Sequence, residues 1–232
     1  PAGSVAVLHA CCHNPTGVDL SAEQWEKVIK VCNARELVPF LDIAYQGFAE
    51  SLESDAAAVR RFTQSCPVVF VSSSFSKSLS LYGERVGALS VVTESADVAA
   101  RTLSQLKRVI RTNYSSPATH GAQAVAMVLT TPELRKLWDK ELGQMRERIK
   151  TVRRHLVEKI RGTHAVRAAV GIGLGQAMDE FRLPRPAGIE GGARHGGRQI
   201  GAAVIGVFER QDVALPGIAQ DVGIAEQGAE CV

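Results

Sequence analysis

The stretch "VVFVSSSFSKSLSLYGERVGALSVV", residues 68–92, places a short polar segment between two apolar runs. The runs at 68–72 and 86–92 are rich in valine and bounded by serine or glycine, which predicts two buried strands. Lys77 and Arg85 lie between them. Because ligands of open α/β sheets bind just outside the carboxyl ends of the strands, this polar segment is a candidate functional site.

Strand-like and helix-like segments alternate on both sides of this stretch. A strand is predicted at 4–8, and another in "LVPFLDIAY", residues 37–45, where it ends near Asp42. Helices are predicted from apolar periodicity, and at 21–36 also from the Ser21 and Gln24 capping box. The predicted helices lie at 21–36, 54–63, 95–110, 117–130 and 133–161. This order predicts an α/β fold with a mostly parallel sheet and helices on both faces.

Three polar residues follow three of the predicted strands. Asn14 comes after the first strand, Asp42 ends the second, and Lys77 lies just past the third. The carboxyl ends of parallel strands meet at one edge of a sheet, so we expect these three side chains to share that edge.

Composition places limits on the class of protein. With 232 residues, of which 45% are hydrophobic, the chain can form one large domain or two small ones. It contains no apolar run long enough for a membrane helix, and it begins at Pro1 without a signal-peptide pattern, which suggests an internal fragment. Five cysteines without a CxxC pair favour a reducing, cytoplasmic location over a disulfide framework or a structural zinc site.

The basic residues concentrate in one region. Residues 101–161 hold 14 Lys and Arg against 5 Asp and Glu. These charges are interleaved with apolar residues at helical spacing, which favours the solvated faces of helices over a nucleic-acid site. We therefore predict neither nucleic acid nor membrane as a partner.

The composition changes after Gly162. Residues 163–232 contain 13 of the 21 glycines, six arginines and no lysine, and they show no helix or strand pattern. Such a composition is typical of a GC-rich gene read out of frame, or of a flexible native tail. We therefore treat residues 162–232 as a separate, atypical segment, frameshifted or disordered.

Two familiar site types fit the chain poorly. Ser74 and Lys77 form an S-x-x-K motif, but the companion motifs of serine β-lactamases are absent, and the lysine follows a strand instead of opening a helix. The run from His9 to His13 contains soft and imidazole ligands, but consecutive residues leaving a strand cannot all face one ion. We predict no metal site.

A lysine amine nucleophile fits the polar segment better. A lysine at the sheet edge, beside an anion site, suits Schiff-base chemistry with a phosphorylated aldehyde cofactor. Ser74, Ser76 and Arg85 would bind its phosphate, since hydroxyls donate single hydrogen bonds and a guanidinium donates two. Asp42 would pair with a pyridinium nitrogen.

Four motifs together resemble one known family. The motifs are "HNPTG" at 13–17, "DIAYQGF" at 42–48, "SSSFSKSLSLYGERVGA" at 72–88 and "VIRTNYSSPATHGA" at 109–122. In this order and spacing they resemble the class I aminotransferases of fold type I, and in particular the aspartate and aromatic amino-acid enzymes. The resemblance runs from about residue 4 to residue 161, so this region is expected to be part of the large domain that binds pyridoxal 5′-phosphate.

The resemblance implies roles for individual residues. Lys77 would carry the cofactor covalently and then shuttle the substrate proton as base and acid. Asp42 would hold the pyridinium, and the remaining cofactor contacts would come from Asn14, Tyr45, Ser74, Ser76 and Arg85. His9 and His13 would support these groups from behind.

The resemblance also implies a substrate and a partner. Arg111 matches the arginine that reaches the neighbouring subunit's site and binds the distal carboxylate of a dicarboxylic substrate, and Asn14 would also contact the substrate. A homodimer with shared active sites would then transfer an amino group from aspartate or an aromatic amino acid to a 2-oxo acid such as 2-oxoglutarate. The residues of the third motif favour the bacterial group of aromatic and aspartate aminotransferases.

Some parts of the family pattern have no counterpart in the chain. The amino-terminal portion of the family is missing, and no position in 163–232 matches the arginine that binds the substrate α-carboxylate. We therefore expect this polypeptide alone to be poorly folded at its carboxyl end and nearly inactive. The alternative is a non-catalytic α/β module that keeps the fold for binding or interaction.

Overall fold

The structure, a computed structural model, describes residues 1–161 and the strand backbone of residues 202–209. The strands of this part form one sheet whose spatial order follows the chain. They are β1 (Val5–His9), β2 (Val38–Ile43), β3 (Val69–Ser74), β4 (Val86–Thr93) and β5 (Ala202–Glu209).

The sheet is mostly parallel, as predicted. β1 pairs with β2 and β2 with β3 in parallel, β3 pairs with β4 antiparallel, and β4 pairs with β5 in parallel. A parallel connection needs a crossover of a dozen or more residues, usually a helix. Residues 75–85 contain no helix, so β4 returns beside β3 in the opposite direction. The α/β fold class is confirmed.

Six helices accompany the strands in the described part of the chain. They are α1 (Ala22–Ala34), α2 (Leu52–Asp55), α3 (Ala57–Ser65), α4 (Ala96–Asn113), α5 (His120–Thr130) and α6 (Pro132–Arg161). None of them is both long and apolar enough to cross a membrane.

The prediction of a single helix at 54–63 is wrong in one respect. The structure has two helices there, because the backbone departs from helical geometry at Ala56. The first begins earlier than predicted, since the Ser51 side chain accepts the Ser54 N–H at 3.0 Å and caps it. The Asp55 side chain turns back to bind the preceding loop.

The main core lies between α1, α3 and the first three strands. The Trp25 ring meets the Phe62 ring edge-on, with 5.8 Å between their centroids, and Phe62 and Leu41 are fully buried. The capping box predicted for α1 is present, with the Ser21 N–H donating to Gln24 Oε1 at 2.8 Å. This packing fixes the strands whose ends carry the candidate site.

Strand β5 was not predicted from the sequence. Its residues, "AAVIGVFE", form one apolar run inside a segment whose glycine and arginine content suggested no regular structure. The prediction of a frameshift or of disorder for residues 162–201 and 210–232 lies outside the described residues. Within the described residues, 1–143 and 202–209 belong to one compact unit and 144–161 to another.

Candidate active site

The carboxyl ends of the three parallel strands lie side by side. In the strand register His9 is opposite Asp42, and Asp42 is opposite Ser72. Asp42 therefore sits at the centre of this edge, with one polar neighbour on each side.

Both neighbours face the Asp42 carboxylate. The Ser72 hydroxyl donates to Asp42 Oδ1 at 3.1 Å, and His9 Nε2 lies 3.9 Å from Oδ2. The carboxylate side chain keeps 39% of its surface exposed. It is therefore oriented from two sides and still accessible to a ligand with a proton to donate.

His9 connects this carboxylate to the loop that carries Asn14. The Asn14 N–H donates to His9 Nδ1 at 3.3 Å, so a neutral His9 bears its proton on Nε2, the atom that faces Asp42. The His13 ring lies 4.8 Å from the His9 ring, centroid to centroid. The two histidines thus lie together beside the Asp42 edge, and their supporting role stays a prediction.

Asp19 shapes the same loop, and sequence reasoning missed it. Its carboxylate accepts the Cys12 N–H at 2.7 Å and the His13 N–H at 2.8 Å. Two such bonds to one ionised group fix the turn from which Asn14 projects. The only signal in the sequence was an acidic residue shortly after the "HNPTG" motif.

Lys77 and Tyr45 meet across the site. Lys77 Nζ lies 4.7 Å from the centroid of the Tyr45 ring, a cation–π distance. The two residues come from the loops that follow β3 and β2, so the fold brings together the predicted lysine and the predicted tyrosine. Within residues 1–161, no carboxylate forms an ion pair with Lys77.

The lysine lies in a compact turn. The Ser80 N–H donates to the Lys77 carbonyl at 3.1 Å, and Ser76 and Ser78 are buried on either side of the lysine. The buried Trp138 indole of α6 donates to the Ser78 carbonyl at 2.7 Å. The backbone of the turn is thus fixed next to the amine.

The predicted phosphate ligands share one end of the sheet. Ser74 pairs with Gly87 across the antiparallel β3 and β4, which places Arg85 beside the end of β3. The Ser74 hydroxyl accepts the Ser76 N–H at 3.3 Å. Arg85 is exposed and adopts a φ of 56°, and its Nη1 donates to the Tyr82 carbonyl at 3.0 Å.

Gly87 allows the close approach of these two strands. A Cβ atom at this position would lie 2.8 Å from the Ser73 carbonyl oxygen, nearer than such contacts occur. Any side chain would push β4 away from β3 and move Arg85 with it.

Asp55 organises the loop after Tyr45, and sequence reasoning missed it as well. Its buried carboxylate accepts four backbone N–H groups, those of Gly47, Ala49, Glu50 and Ser51, at 2.8 to 3.4 Å. A carboxylate with this many donors is well satisfied despite its burial. The loop from Tyr45 to Ser51 is therefore built around one ionised side chain.

Arg111 is not part of this cluster. It lies exposed in the last turn of α4 and donates to the Ser115 hydroxyl. In the described part of the chain it contacts neither Lys77 nor Asp42. The described residues also contain no group of three side chains that could hold a metal ion.

Comparison with known proteins identifies relatives along most of the chain. The family model described as aminotransferase class I and II matches residues 1–173. An aspartate aminotransferase from Pseudomonas aeruginosa is 61% identical over 181 residues, which cover 78% of this chain and 46% of that protein. An aromatic-amino-acid aminotransferase from Escherichia coli is 54% identical over 158 residues, which cover 68% of this chain and 40% of that protein.

Solved structures show the same similarity. An aromatic-amino-acid aminotransferase from Burkholderia pseudomallei, covalently bound to pyridoxal phosphate, is 63% identical with a TM-score of 0.67, covering 70% of this chain and 41% of that one. A mitochondrial aspartate aminotransferase from Trypanosoma brucei is 44% identical with a TM-score of 0.65, covering 71% of this chain and 44% of that one.

The chain spans less than half the length of each of these four proteins. The matched region nevertheless contains the whole cluster of strand-end residues described above, together with α4 and α6. The family model covers most of the chain. The chain therefore belongs to the class I and II aminotransferase family.

Proposed function

We propose that the chain is part of a pyridoxal-phosphate-dependent aminotransferase that moves an amino group between aspartate or an aromatic amino acid and a 2-oxo acid such as 2-oxoglutarate. One observation carries the proposal: the Lys77 amine lies 4.7 Å from the Tyr45 ring, at the sheet edge that also presents Asp42. The names of the relatives, aspartate and aromatic-amino-acid aminotransferases, support the reaction class.

The residues of the site fit the cofactor. The Lys77 amine is available to bond an aldehyde carbon, and the Asp42 carboxylate is exposed enough to accept a proton from a ring nitrogen. Arg85 uses Nη1 for the Tyr82 carbonyl, which leaves other guanidinium donors for a phosphate beside Ser74 and Ser76. Tyr45 and Asn14 would bind the ring oxygen.

The chemistry divides between cofactor and protein. Pyridoxal phosphate, when bound, supplies an electron sink for the carbanion formed at the amino acid Cα. Lys77 Nζ would accept the proton from that Cα and later return it. Asp42 would keep a negative charge opposite the ring nitrogen. His9, whose Nε2 lies 3.9 Å from Asp42 Oδ2, would help to orient that carboxylate.

Arg111 would serve a different copy of the chain. It is exposed and makes no contact with Lys77 or Asp42 in the described residues, as expected for a residue that completes a neighbouring subunit's site. Its guanidinium would bind the side-chain carboxylate of aspartate or glutamate through two hydrogen bonds. A homodimer follows from this role, and sedimentation that shows only monomers would contradict it.

The cellular location is a further part of the proposal. The four cysteines of the described residues form no disulfide, which supports a reducing, cytoplasmic setting. Detection of the protein only in an oxidising compartment would contradict this location.

Residues 1–161 would belong to the large domain, and β5 extends its sheet from the atypical segment 162–232. Resequencing the gene around codons 155–170 tests whether that segment is native.

Cofactor titration of the 232-residue chain tests the proposed function. We expect pyridoxal phosphate to bind the chain, Lys77→Arg to abolish the spectral band of the lysine-bound cofactor, and Asp42→Asn to weaken binding. Asp97→Asn is the matched control, because Asp97 is an exposed residue of α4 paired with Arg101. Transfer of 15N from labelled aspartate or tyrosine to 2-oxoglutarate then measures the reaction.

The outcomes separate the enzyme from the alternative. Lys77-dependent binding with transfer of the label supports the aminotransferase. Binding that persists unchanged in Lys77→Arg would favour a binding module, whereas absence of transfer alone is expected of a partial chain. A folded chain that does not bind pyridoxal phosphate would contradict the proposal.

A further inference from the structure

One turn of α6 contacts the two loops that carry Lys77 and Tyr45. Trp138 and Leu142 lie four residues apart, so they project from the same face of the helix, about 6 Å apart along its axis. Both are buried, with 9% and 0% of their surface exposed. This face of α6 therefore packs against the site and away from solvent.

Trp138 contacts the lysine loop. Its indole N–H donates to the Ser78 carbonyl at 2.7 Å, in a buried position 60 residues away along the chain. Ser78 directly follows Lys77, so this bond fixes the peptide unit next to the lysine. A buried carbonyl without this donor would have to find another partner or move.

Leu142 contacts the tyrosine loop. A Cβ atom on Gly47 would overlap Leu142 Cδ2, so the leucine fills the space directly against the glycine backbone. Gly47 follows Tyr45 by two residues, adopts a φ of 90°, and is bound to the Asp55 carboxylate at 2.8 Å. The loop is thus held between the Asp55 carboxylate and the Leu142 side chain.

We propose that Trp138 and Leu142 are positioning residues that set the Lys77 amine against the Tyr45 ring. The inference rests on the proposed function, since it names what holds the reactive amine in place. A single rigid helical turn contacts both loops, so it fixes their separation more tightly than two independent supports would. A displacement of about 1 Å between reacting groups can lower catalytic rates about a hundredfold. Fixing the separation of the two loops would therefore protect the catalytic rate.

Fluorine NMR of the chain without cofactor tests the proposal. The sequence has only three tyrosines, so a chain labelled with 3-fluorotyrosine gives three resonances, of which Tyr45→Phe identifies one. Lys77→Met defines the position of the Tyr45 resonance when the amine is lost. We expect Trp138→Phe and Leu142→Val to move the Tyr45 resonance in that same direction and to leave Tyr82 and Tyr114 unchanged.

Two controls separate positioning from general destabilisation. Leu137→Ala alters α6 at a side chain that is 52% exposed, and Phe62→Leu weakens the core where the Phe62 ring packs against Trp25. Neither should move the Tyr45 resonance, even where Phe62→Leu lowers the melting temperature as much as Trp138→Phe does. Leu142→Val removes a single methylene group, so it provides a folded variant if Trp138→Phe does not fold.

Three results would overturn the proposal. They are an unchanged Tyr45 resonance in folded Trp138→Phe and Leu142→Val, an equal shift in the controls, or a Tyr45 resonance that does not respond to Lys77→Met. The experiment needs no cofactor, so its failure is distinct from a failure of the chain to bind pyridoxal phosphate.

Discussion

The Asp55 carboxylate accepts the Gly47 backbone N–H at 2.8 Å and lies almost fully buried, with 5% of its surface exposed. Three further amides of the same loop bind the same carboxylate. The loop that carries Tyr45 into the site therefore depends on an ionised side chain at the end of α2, together with the apolar contact from Leu142.

Replacing this carboxylate should destabilise the protein strongly. In Asp55→Asn one oxygen becomes an NH₂ group that faces backbone donors, so we expect the free energy of unfolding to fall by about 3 kcal/mol. Urea denaturation measures the change. Asp97→Asn removes an exposed carboxylate paired with Arg101 and should change the value by less than about 0.5 kcal/mol. Similar losses in both variants would contradict the role of Asp55.

Gly47 and Leu142 should be energetically coupled. Gly47→Ala adds a Cβ atom that overlaps Leu142 at a backbone φ of 90°, and Leu142→Ala leaves a cavity that costs about 2 to 5 kcal/mol. In the double variant the cavity accepts the new methyl group, so we expect a total loss smaller than the sum by about 1 kcal/mol. Strictly additive losses in urea denaturation would show that the contact does not constrain the loop.

Stability should decrease at alkaline pH because of two buried thiols. The hydrogen bond with Cys12, together with burial, raises the pKa of Cys11 above its ordinary value of 9.0, and burial raises the pKa of Cys32. Each thiol therefore ionises at a higher pH in the folded chain than in the unfolded chain. Their contribution is therefore complete below about pH 9 and falls above it by up to about 1.4 kcal/mol per pH unit for each thiol.

Urea denaturation between about pH 8 and pH 10.5 checks this slope. Cys11→Ala and Cys32→Ala each remove one titrating group, so each should flatten the alkaline decline relative to the wild type. A decline of the same slope in both variants would show that other groups cause it.

The sequence predicted most elements because each has a local signal. The Ser21 and Gln24 capping box located α1, and the valine runs before and after the lysine segment located β3 and β4. Strand-end positions then brought Lys77 and Asp42 to one edge, since parallel strands align their ends. Periodicity and turn residues carry this information within a few positions of each element.

The missed features depend on contacts distant in the chain or on the loss of a local pattern. The hydrogen bond from Trp138 to Ser78 spans 60 residues, and no periodicity in the sequence predicts it. The helix break at Ala56 and the bonds of Asp55 to a preceding loop occur together, and helix propensity predicts neither. Strand β5 is a single apolar run in a glycine-rich segment, where the surrounding composition concealed it.

We expect Lys77 to be the residue that binds the cofactor covalently. Reduction of the chain with borohydride in the presence of pyridoxal phosphate, followed by peptide mass spectrometry, tests it most directly. We predict one cofactor per chain on the Lys77 peptide, its loss in Lys77→Arg, and its displacement when aspartate is added before reduction. Labelling spread over exposed lysines such as Lys27 and Lys30, or unchanged in Lys77→Arg, would contradict the account.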